Sequence, residues 1–383
     1  MNSNNESVLT QPTHRPGGGS SSRLAEEPVR GTVNGLAEGT LRLALPSDGD
    51  LYDPSLSFLR NCGAPVDRPS ARRYTARIPS LPEVTVLFQR TADITQKVEE
   101  GSAELGITGL DRYLEYRHET SPVIPIIENL GFGICELVLA VPDSWLDVNS
   151  IDDLADLALE FRQEGKQLRI ATKYPRLLRR FLYSKEINYF SLVQTSGSLE
   201  AAPAAGYADL IADITASGAT LRENRLRAIE NGTFLVSQAC LIGNRELLEM
   251  SPRCLRLARA VLEMMEGYLR AGSFYRITAN VRASSPEEVS SNVLARPDLA
   301  GLQGPTISKV YNIEEQGWYA VGLLVPKEKL LDAVDHLRLA GGIDISASQV
   351  SYLFKDQCQA YQRLMESFQG NTQSSAVNVN SGE

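Results

Sequence analysis

Short apolar runs alternate with amphipathic helical segments along most of this chain of 383 residues. Strands are predicted at 41–45, 84–88 and 105–108, and a helix is predicted at about 94–100, between the last two. Strands that alternate with helices in this way are typical of a parallel or mixed α/β sheet. The pattern therefore predicts that a first α/β lobe begins near residue 41.

A second α/β unit is predicted from about residue 134. Its strands are expected at about 134–141, 168–172, 190–195 and 209–214. Ser150-x-x-Asp153 and Pro175 are typical helix starts and fall between these strands. The unit thus has the same strand–helix alternation as the first.

The chain then returns toward the first lobe through a strand at 234–242, and apolar residues at helical spacing predict a long helix over 252–269. Two α/β lobes joined by crossing segments enclose a cleft, which is the usual place for a ligand. We expect a first lobe at 41–139 with 233–271 and a second lobe at 140–232.

The rest of the chain has a different order of elements. Between about 272 and 355 the pattern predicts strand, helix, strand, strand, helix and strand, which is the ferredoxin-like βαββαβ order. We assign residues 272–369 to this module. A module of this kind after a two-lobed catalytic unit commonly regulates that unit or mediates oligomerisation of the chain. Residues 1–40 and 370–383 are rich in small polar residues and are predicted to be disordered tails.

Composition narrows the classes of function. The formal net charge of −9 argues against nucleic-acid binding, although a phosphorylated substrate needs only local positive charge. Five scattered cysteines without a C-x-x-C pair, and three scattered histidines, indicate neither a metal site nor a disulfide framework. No run approaches membrane-spanning length and no secretory signal is visible, so we expect a cytoplasmic protein without a membrane partner.

The stretch from Glu200 to Leu221 carries the clearest candidate chemistry. Asp209 and Asp213 are predicted on a strand, where they can accept hydrogen bonds from sugar hydroxyls. A turn of small residues follows and leads into a helix; its backbone N–H groups can bind one anion. The turn consists of Ala216, Ser217, Gly218, Ala219 and Thr220. A phosphate-binding turn beside paired carboxylates predicts a ribose-phosphate ligand.

A structural explanation of the turn stays open. Most small-residue turns before helices bind nothing, and Thr220 with Glu223 can form a capping box. The acidic residues favour a site, because carboxylates on an inner strand of an α/β sheet are hard to explain as packing. They are Glu200, Asp209 and Asp213.

The same stretch matches Glu-x5-Gly-x-Ala-x2-Ile-x-Asp-Ile-x2-Ser-Gly-x-Thr-Leu at every defined position. It resembles the signature of the ATP phosphoribosyltransferase family of histidine biosynthesis. The similarity spans about residues 41–355 and includes further motifs at 88–94, 104–111, 131–135 and 301–308. Because the last motif lies in the C-terminal module, the chain resembles the long form of the family.

The resemblance implies a reaction and a set of roles. N1 of ATP would displace pyrophosphate from C1 of phosphoribosyl pyrophosphate and give phosphoribosyl-ATP. The turn at 216–220 would bind the 5′-phosphate, and Asp209 would lie near the ribose hydroxyls. Asp213 and Glu200 would be the catalytic carboxylates, and orientation and charge placement would replace a covalent nucleophile. Magnesium would enter with the pyrophosphate and need no protein cage.

Four residues are expected on the ATP side of the cleft. Arg90 and Asp93 match a motif of the family, and Lys173 and Tyr174 follow a strand end that faces the cleft. The alternatives are a surface ion pair between Arg90 and Asp93, and a solvated loop at 173–174. The chain departs from the family at Asp50 and at Glu136, where basic residues are usual.

The fold that the resemblance implies is a two-lobed, periplasmic-binding-protein-like catalytic part followed by a ferredoxin-like domain. That domain would bind histidine as a feedback inhibitor, within a hexamer built from dimers. Two other functions remain possible: a bilobed solute-binding protein, and a regulatory homologue that has lost catalysis through Asp50 and Glu136.

Overall fold

The computed structural model describes residues 40–194, 198–311 and 317–376, with side chains up to residue 369. The strands are β1 (Leu41–Pro46), β2 (Thr75–Arg77), β3 (Val84–Gln89), β4 (Leu105–Gly109), β5 (Val123–Ile127), β6 (Cys135–Pro142), β7 (Leu168–Thr172), β8 (Phe190–Val193), β9 (Leu210–Thr215), β10 (Leu226–Ser237), β11 (Ala239–Asn244), β12 (Phe274–Arg282), β13 (Thr306–Val310), β14 (Trp318–Pro326) and β15 (Gly342–Gln349).

The helices of the described residues follow the same chain order. They are α1 (Tyr52–Asn61), α2 (Ile94–Glu99), α3 (Leu110–Tyr116), α4 (Ile151–Gln163), α5 (Pro175–Ser184), α6 (Ala219–Glu223), α7 (Arg245–Met250), α8 (Pro252–Ala271), α9 (Pro286–Leu294), α10 (Leu330–Leu339) and α11 (Gln359–Ala376). Among these, no helix is long and apolar enough to cross a membrane.

The strands form three sheets, as the α/β and ferredoxin-like patterns predict. The first sheet has the order β2-β3-β1-β4-β11-β5, and the second has the order β10-β6-β9-β7-β8. The third has the order β13-β14-β12-β15 and is wholly antiparallel. The predicted class is therefore confirmed: two mixed α/β lobes joined by crossing segments, followed by a βαββαβ module.

Local sequence explains how the helices of the second lobe start. Ser150 accepts the backbone N–H of Asp153, and the Asp153 carboxylate accepts the backbone N–H of Ser150, so the predicted capping box begins α4. Pro175 occupies the first position of α5, where its missing N–H costs nothing. Leu178 and Leu182 of α5 are one turn apart and fully buried against the second sheet. Both predicted helix starts are confirmed.

The lobe boundaries differ from those expected from the sequence. Strands β6 and β10 pair with each other in the second sheet along much of their length, including Cys135 with Ser237. The expected boundaries at 139/140 and 232/233 therefore cut through two strands of the second lobe. The chain crosses instead just before β6 and again at Gln238, because the β6–β10 ladder keeps both strands in one sheet.

The C-terminal helix α11 belongs to the core of the first lobe. Cys358, Ala360 and Leu364 are buried among first-lobe side chains, although 272–369 was expected to form one module. Helix α11 also continues over 370–376, where a tail was expected, because a docked first turn favours further helix growth. The tails expected at 1–39 and 377–383 lie outside the described residues.

A single carboxylate on α8 fixes the start of α11. The backbone N–H groups of Gln359 and Ala360 donate to Glu266 at 3.0 and 2.6 Å. The backbone N–H of Leu353 donates to the carbonyl of Gly267 at 2.9 Å. The chain thus leaves α8 after Ala271, forms the module and returns to the same end of α8.

Replacing Glu266 by alanine is expected to lower the free energy of local opening of α11 by about 1–2 kcal/mol, because two helix-terminal N–H groups lose their acceptor. Hydrogen exchange of the α11 amides measures this free energy. Glu263→Ala is the matched control: it removes only a partly exposed pair with Arg259 at 3.7 Å, and is expected to change the value by less than about 0.5 kcal/mol. Equal protection in the two variants would contradict the capping role.

Candidate functional site

The two lobes enclose a cavity of about 600 Å³. Its first-lobe walls come from the segments that follow β1, β3 and β4, and its second-lobe walls come from the ends of β7 and β9. The lining residues are Asp50, Leu51, Thr91, Gly109, Asp111, Arg112, Gly133, Ile134, Cys135, Lys173, Glu200, Asp213, Ile214, Thr215, Ala216, Ser217, Gly218, Ala219, Thr220 and Leu221. The cavity therefore contains the whole predicted turn and both predicted catalytic carboxylates.

The turn at 216–220 is shaped by its own side chains. Gly218 has φ of +69°, and its N–H donates to the Thr215 hydroxyl at 3.0 Å. The Arg222 guanidinium donates to the carbonyl of Ser217 at 3.1 Å. A Cβ at Gly218 would lie 2.8 Å from Arg222 Nη1. Glycine is thus favoured there by its left-handed backbone conformation, and a Cβ would also displace the Arg222 guanidinium.

The capping box expected for this turn is absent. The N-cap of helix α6 is Gly218, so Thr220 and Glu223 do not form that box, and the Ser217 hydroxyl accepts the backbone N–H of Ala219 at 3.4 Å. The helix has only five residues. The turn is therefore held by its own loop contacts, and it faces the cavity.

Asp213 lies on β9 and is almost fully buried. The backbone N–H of Ile214 donates to its Oδ1 at 2.8 Å. Burial raises the pKa of the Asp213 carboxyl above its ordinary value, against the opposing effects of the Ile214 N–H and of Lys173. The ionised form of Asp213 is therefore poorly solvated, and a ligand that donates a hydrogen bond to this carboxylate would stabilise it.

Glu200 and Lys173 share the second-lobe side of the cavity with Asp213. The Ser198 hydroxyl donates to Glu200 Oε2 at 2.6 Å and lowers the pKa of this carboxyl. The charge of Lys173 acts on both carboxylates. Lys173 was expected on the ATP side; it lines the same cavity as the 216–220 turn, Glu200 and Asp213.

Asp209 does not reach the cavity. It directly precedes β9, and its carboxylate binds the Arg169 guanidinium at 2.7 Å and the Arg169 backbone N–H at 2.7 Å. Asp213 lies four positions further along the strand, or about 13 Å at the usual rise. The expected contact of Asp209 with the ribose is corrected to an ion pair at the opposite end of the strand.

Tyr174 is also removed from direct ligand contact. Its side chain is fully buried, and its hydroxyl donates to Asp111 Oδ2 at 2.6 Å. Burial and the Asp111 carboxylate raise the pKa of Tyr174 above its ordinary value, so the hydroxyl remains a donor. The expected contact with ATP is replaced by a hydrogen bond between the two lobes, since α3 carries Asp111 and Tyr174 precedes α5.

Helix α3 holds the second lobe through two carboxylates. The Ser237 hydroxyl donates to Asp111 Oδ1 at 2.8 Å. Glu115 accepts the backbone N–H groups of Arg176 and Leu177, both at 2.9 Å, at the start of α5. The i, i+4 spacing of Asp111 and Glu115 places both on one face of α3. This spacing is the feature of the sequence from which the pair could have been found. Asp111 is the last residue of the motif at 104–111, and the sequence pattern alone assigns it no role.

Arg90 and Asp93 lie in a second cavity of about 400 Å³, entirely in the first lobe. It is lined by Ser47, Asp48, Arg68, Ala71, Arg72, Tyr74, Phe88, Gln89, Arg90 and Asp93. The Arg68 guanidinium lies 3.8 Å above the Phe88 ring. Thr91, the next residue after Arg90, lines the larger cavity, so the two cavities adjoin at the ends of β1 and β3.

The two acidic residues at which the chain differs from the family pattern lie in different places. Asp50 lines the interlobe cavity. Glu136 is exposed on β6, and its carboxylate accepts the Thr233 hydroxyl of β10 at 3.4 Å. Glu136 is not among the cavity-lining residues. Of these two residues, only Asp50 thus adds negative charge to the site.

Cys135 lines the cavity beside Asp111. Burial raises the pKa of its thiol to about 11, so it is a neutral thiol at neutral pH. Within the ranges that the structure describes, no group of three His, Cys, Asp or Glu side chains could hold a metal ion.

Comparison with known proteins gives the family. The ATP phosphoribosyltransferase (HisG) family model matches residues 90–267, and the model of the HisG C-terminal domain matches residues 271–352. ATP phosphoribosyltransferase 1, chloroplastic, of Arabidopsis thaliana is 38% identical over 331 residues, 85% of this chain and 80% of that protein.

Further relatives match a little more than half of the chain. The ATP phosphoribosyltransferase of Brucella anthropi is 43% identical over 213 residues, which are 55% of this chain and 92% of that protein. The solved structure of the ATP phosphoribosyl transferase (HisG:HisZ) complex from Thermotoga maritima covers 59% of this chain and 98% of its own, at 25% identity and a TM-score of 0.45. The chain therefore belongs to the ATP phosphoribosyltransferase family, in the long form that carries a C-terminal domain.

Proposed function

We propose that this chain is a glycosyltransferase that condenses ATP with 5-phosphoribosyl 1-pyrophosphate. The products are N1-(5-phosphoribosyl)-ATP and pyrophosphate, in the first step of histidine biosynthesis. One observation carries the proposal: the 216–220 turn, Asp213 and Glu200 line the same interlobe cavity of about 600 Å³.

Phosphoribosyl pyrophosphate is assigned to the second-lobe side of the cavity. The turn at 216–220 binds the 5′-phosphate, with the Arg222 guanidinium adding positive charge beside Gly218. Asp213 accepts hydrogen bonds from the ribose hydroxyls, and Glu200 lies close to the same ring. Both carboxylates stabilise the positive charge that develops on the sugar as pyrophosphate leaves C1. Cys135, a neutral thiol, forms no covalent intermediate.

ATP is assigned to the adjoining first-lobe cavity that contains Arg90 and Asp93. Arg68 and Arg72 in its wall supply positive charge for a triphosphate. Tyr74 offers an exposed ring of which 73% is accessible. Because this cavity adjoins the larger one at Thr91, N1 of the adenine can be oriented toward C1 of the ribose, and orientation supplies much of the catalysis. Magnesium enters bound to the substrate pyrophosphate, and no step needs a protein metal site.

Regulation and assembly complete the proposal. Histidine binds the C-terminal module as a feedback inhibitor, and the chain forms a homo-oligomer, a hexamer built from dimers, in the cytoplasm. Membership in the long form supports the regulatory part of this assignment. Sedimentation velocity measures the assembly: a chain that stays monomeric with and without histidine would exclude the hexamer.

Two alternatives are less well supported. A solute-binding protein needs a cleft but not the turn, the Arg222 contact or the family match. The alternative of a regulatory homologue without catalysis was based on Asp50 and Glu136. Since the Glu136 side chain binds Thr233 outside the cavity, only Asp50 still supports it.

Turnover is the decisive measurement. The purified chain, mixed with ATP, phosphoribosyl pyrophosphate and magnesium, is expected to form phosphoribosyl-ATP, followed by absorbance, and histidine is expected to suppress it. Omission of either substrate is the control. No product at any enzyme concentration, with both substrates bound in calorimetry, would favour the impaired homologue.

Asp213→Asn is expected to lower kcat/KM for phosphoribosyl pyrophosphate by roughly ten- to hundredfold, the loss for a hydrogen bond to a charged group. Because burial raises the pKa of Asp213, the wild-type kcat/KM is expected to rise with pH through a pKa above the ordinary aspartate value. The Asp213→Asn variant is expected to lose this rise of kcat/KM with pH. Asp209→Asn, which only breaks the pair with Arg169, is the control and is expected to keep both the wild-type rate and the rise with pH.

Histidine sensitivity is expected to depend on the module alone. Deleting everything after residue 272 would also remove α11 from the first-lobe core, so the clean variant excises 274–350 and keeps α11. A short glycine linker closes the gap, because Leu353 is bonded to Gly267 of α8. This variant is expected to turn over without histidine inhibition. Inhibition that persists would place the histidine site in the lobes.

A further inference from the structure

The charged residues that line the interlobe cavity do not match its anionic substrates. Among the described lining residues, four are carboxylates: Asp50, Asp111, Glu200 and Asp213. Arg112 and Lys173 are the two cations in the same part of the structure. Binding of a diphosphate in this cavity therefore depends strongly on where these two cations lie.

Lys173 directly follows β7 and is the cation of the second-lobe wall. Its charge acts on both Glu200 and Asp213, which lie on the same side of the cavity. Arg112 lies opposite, on α3 of the first lobe. It also acts on Asp213 from across the cavity, although more weakly than Lys173. Arg112 is thus the cation of the first-lobe wall.

Arg112 is held in place by groups from both lobes. Its guanidinium carbon lies 4.6 Å from the centroid of the Tyr174 ring, and its Nε lies 3.6 Å from Asp111 Oδ2. Asp111 is itself fixed by Tyr174 and Ser237. Burial opposes the charge of Arg112, but Tyr174, Asp111 and Tyr116 together raise its pKa. Its side chain keeps 20% of its surface accessible, and it lines the cavity.

This arrangement suits a polyphosphate. The Arg112 guanidinium lies over the Tyr174 ring and keeps accessible surface in the cavity, and its planar set of N–H donors matches phosphate oxygens bidentately. With the 5′-phosphate at the 216–220 turn of the second lobe, a group on C1 of the ribose extends toward the first lobe.

We propose that Arg112 is a further substrate-binding residue of this chain, which binds a diphosphate group in the cavity from the first-lobe side. The group is the diphosphate of phosphoribosyl pyrophosphate or the polyphosphate of ATP, and the two share the same chemistry. The inference rests on the proposed function of the cavity. Tyr174 and Asp111 act through Arg112 as positioning residues, which explains why the fully buried tyrosine lies next to the site.

Equilibrium binding tests this without needing turnover. Isothermal titration of the full chain with magnesium pyrophosphate and with ribose 5-phosphate gives two dissociation constants on one preparation. For Arg112→Gln, pyrophosphate binding is expected to weaken roughly ten- to hundredfold, the loss of hydrogen bonds to a charged group. Ribose 5-phosphate, which lacks the diphosphate, is expected to bind as to wild type. Arg162→Gln is the control, since Arg162 stacks on Tyr189 at 3.7 Å and does not line the cavity.

Further binding measurements identify which substrate supplies the diphosphate, and a second variant separates a loss of binding from misfolding. Weaker binding of phosphoribosyl pyrophosphate alone assigns Arg112 to that substrate, and weaker binding of ATP relative to AMP assigns it to the nucleotide. Arg112→Met keeps the packing on Tyr174 and is used if the glutamine variant loses both ligands. An unchanged ratio of the two constants in the folded variant would overturn the proposal. Because this ratio needs no catalysis, its outcome is independent of the turnover assay.

Discussion

The contact between α3 and the start of α5 is the constraint on which the geometry of the site depends. Asp111 and Glu115 are buried carboxylates of the first lobe, and each is satisfied by donors of the second lobe. A buried carboxylate without partners is strongly unfavourable, so the lobes cannot separate here without exposing both charges to water or leaving them unpaired. Glu115 also gains from the positive end of α5. The junction therefore fixes one side of the cleft.

This junction determines what can move. The 216–220 turn follows β9 of the second lobe, while the cavity that contains Arg90 follows β1 and β3 of the first. Because α3 and α5 are joined, a relative motion of the lobes that keeps these hydrogen bonds must pivot at this contact. Arg112 directly follows Asp111 and lies over the Tyr174 ring, so a motion that keeps the contact also keeps Arg112 in place.

The sequence predicted well that Glu200, Asp213 and the 216–220 turn lie together, because they belong to one continuous stretch with a local order of strand, turn and helix. It predicted the positions of Asp209 and Tyr174 poorly. Asp209 directly precedes β9 and Asp213 lies on it, and the pattern does not tell which end of the strand meets the cavity; the Asp209 end is the one that pairs with Arg169. Tyr174 follows a strand that faces the cleft, but its ring turns inward because Asp111, far away in sequence, accepts its hydroxyl. The lobe boundary was misplaced because apolar alternation continues unbroken through β6, and only its pairing with β10 assigns it to a sheet.

The C-terminal module is tied to the site through α8. Both of its connections meet the last turns of this helix, at Ala271 and, through Leu353, at Gly267. A Cβ at Gly267 would lie 2.6 Å from the Phe354 ring, so the returning segment packs directly on the helix backbone. Helix α8 in turn packs on the first-lobe core that contains β1 and β3. A displacement of the module is therefore transmitted to α8 from both connections at once, and α8 lies under the strands whose ends form the cavity around Arg90.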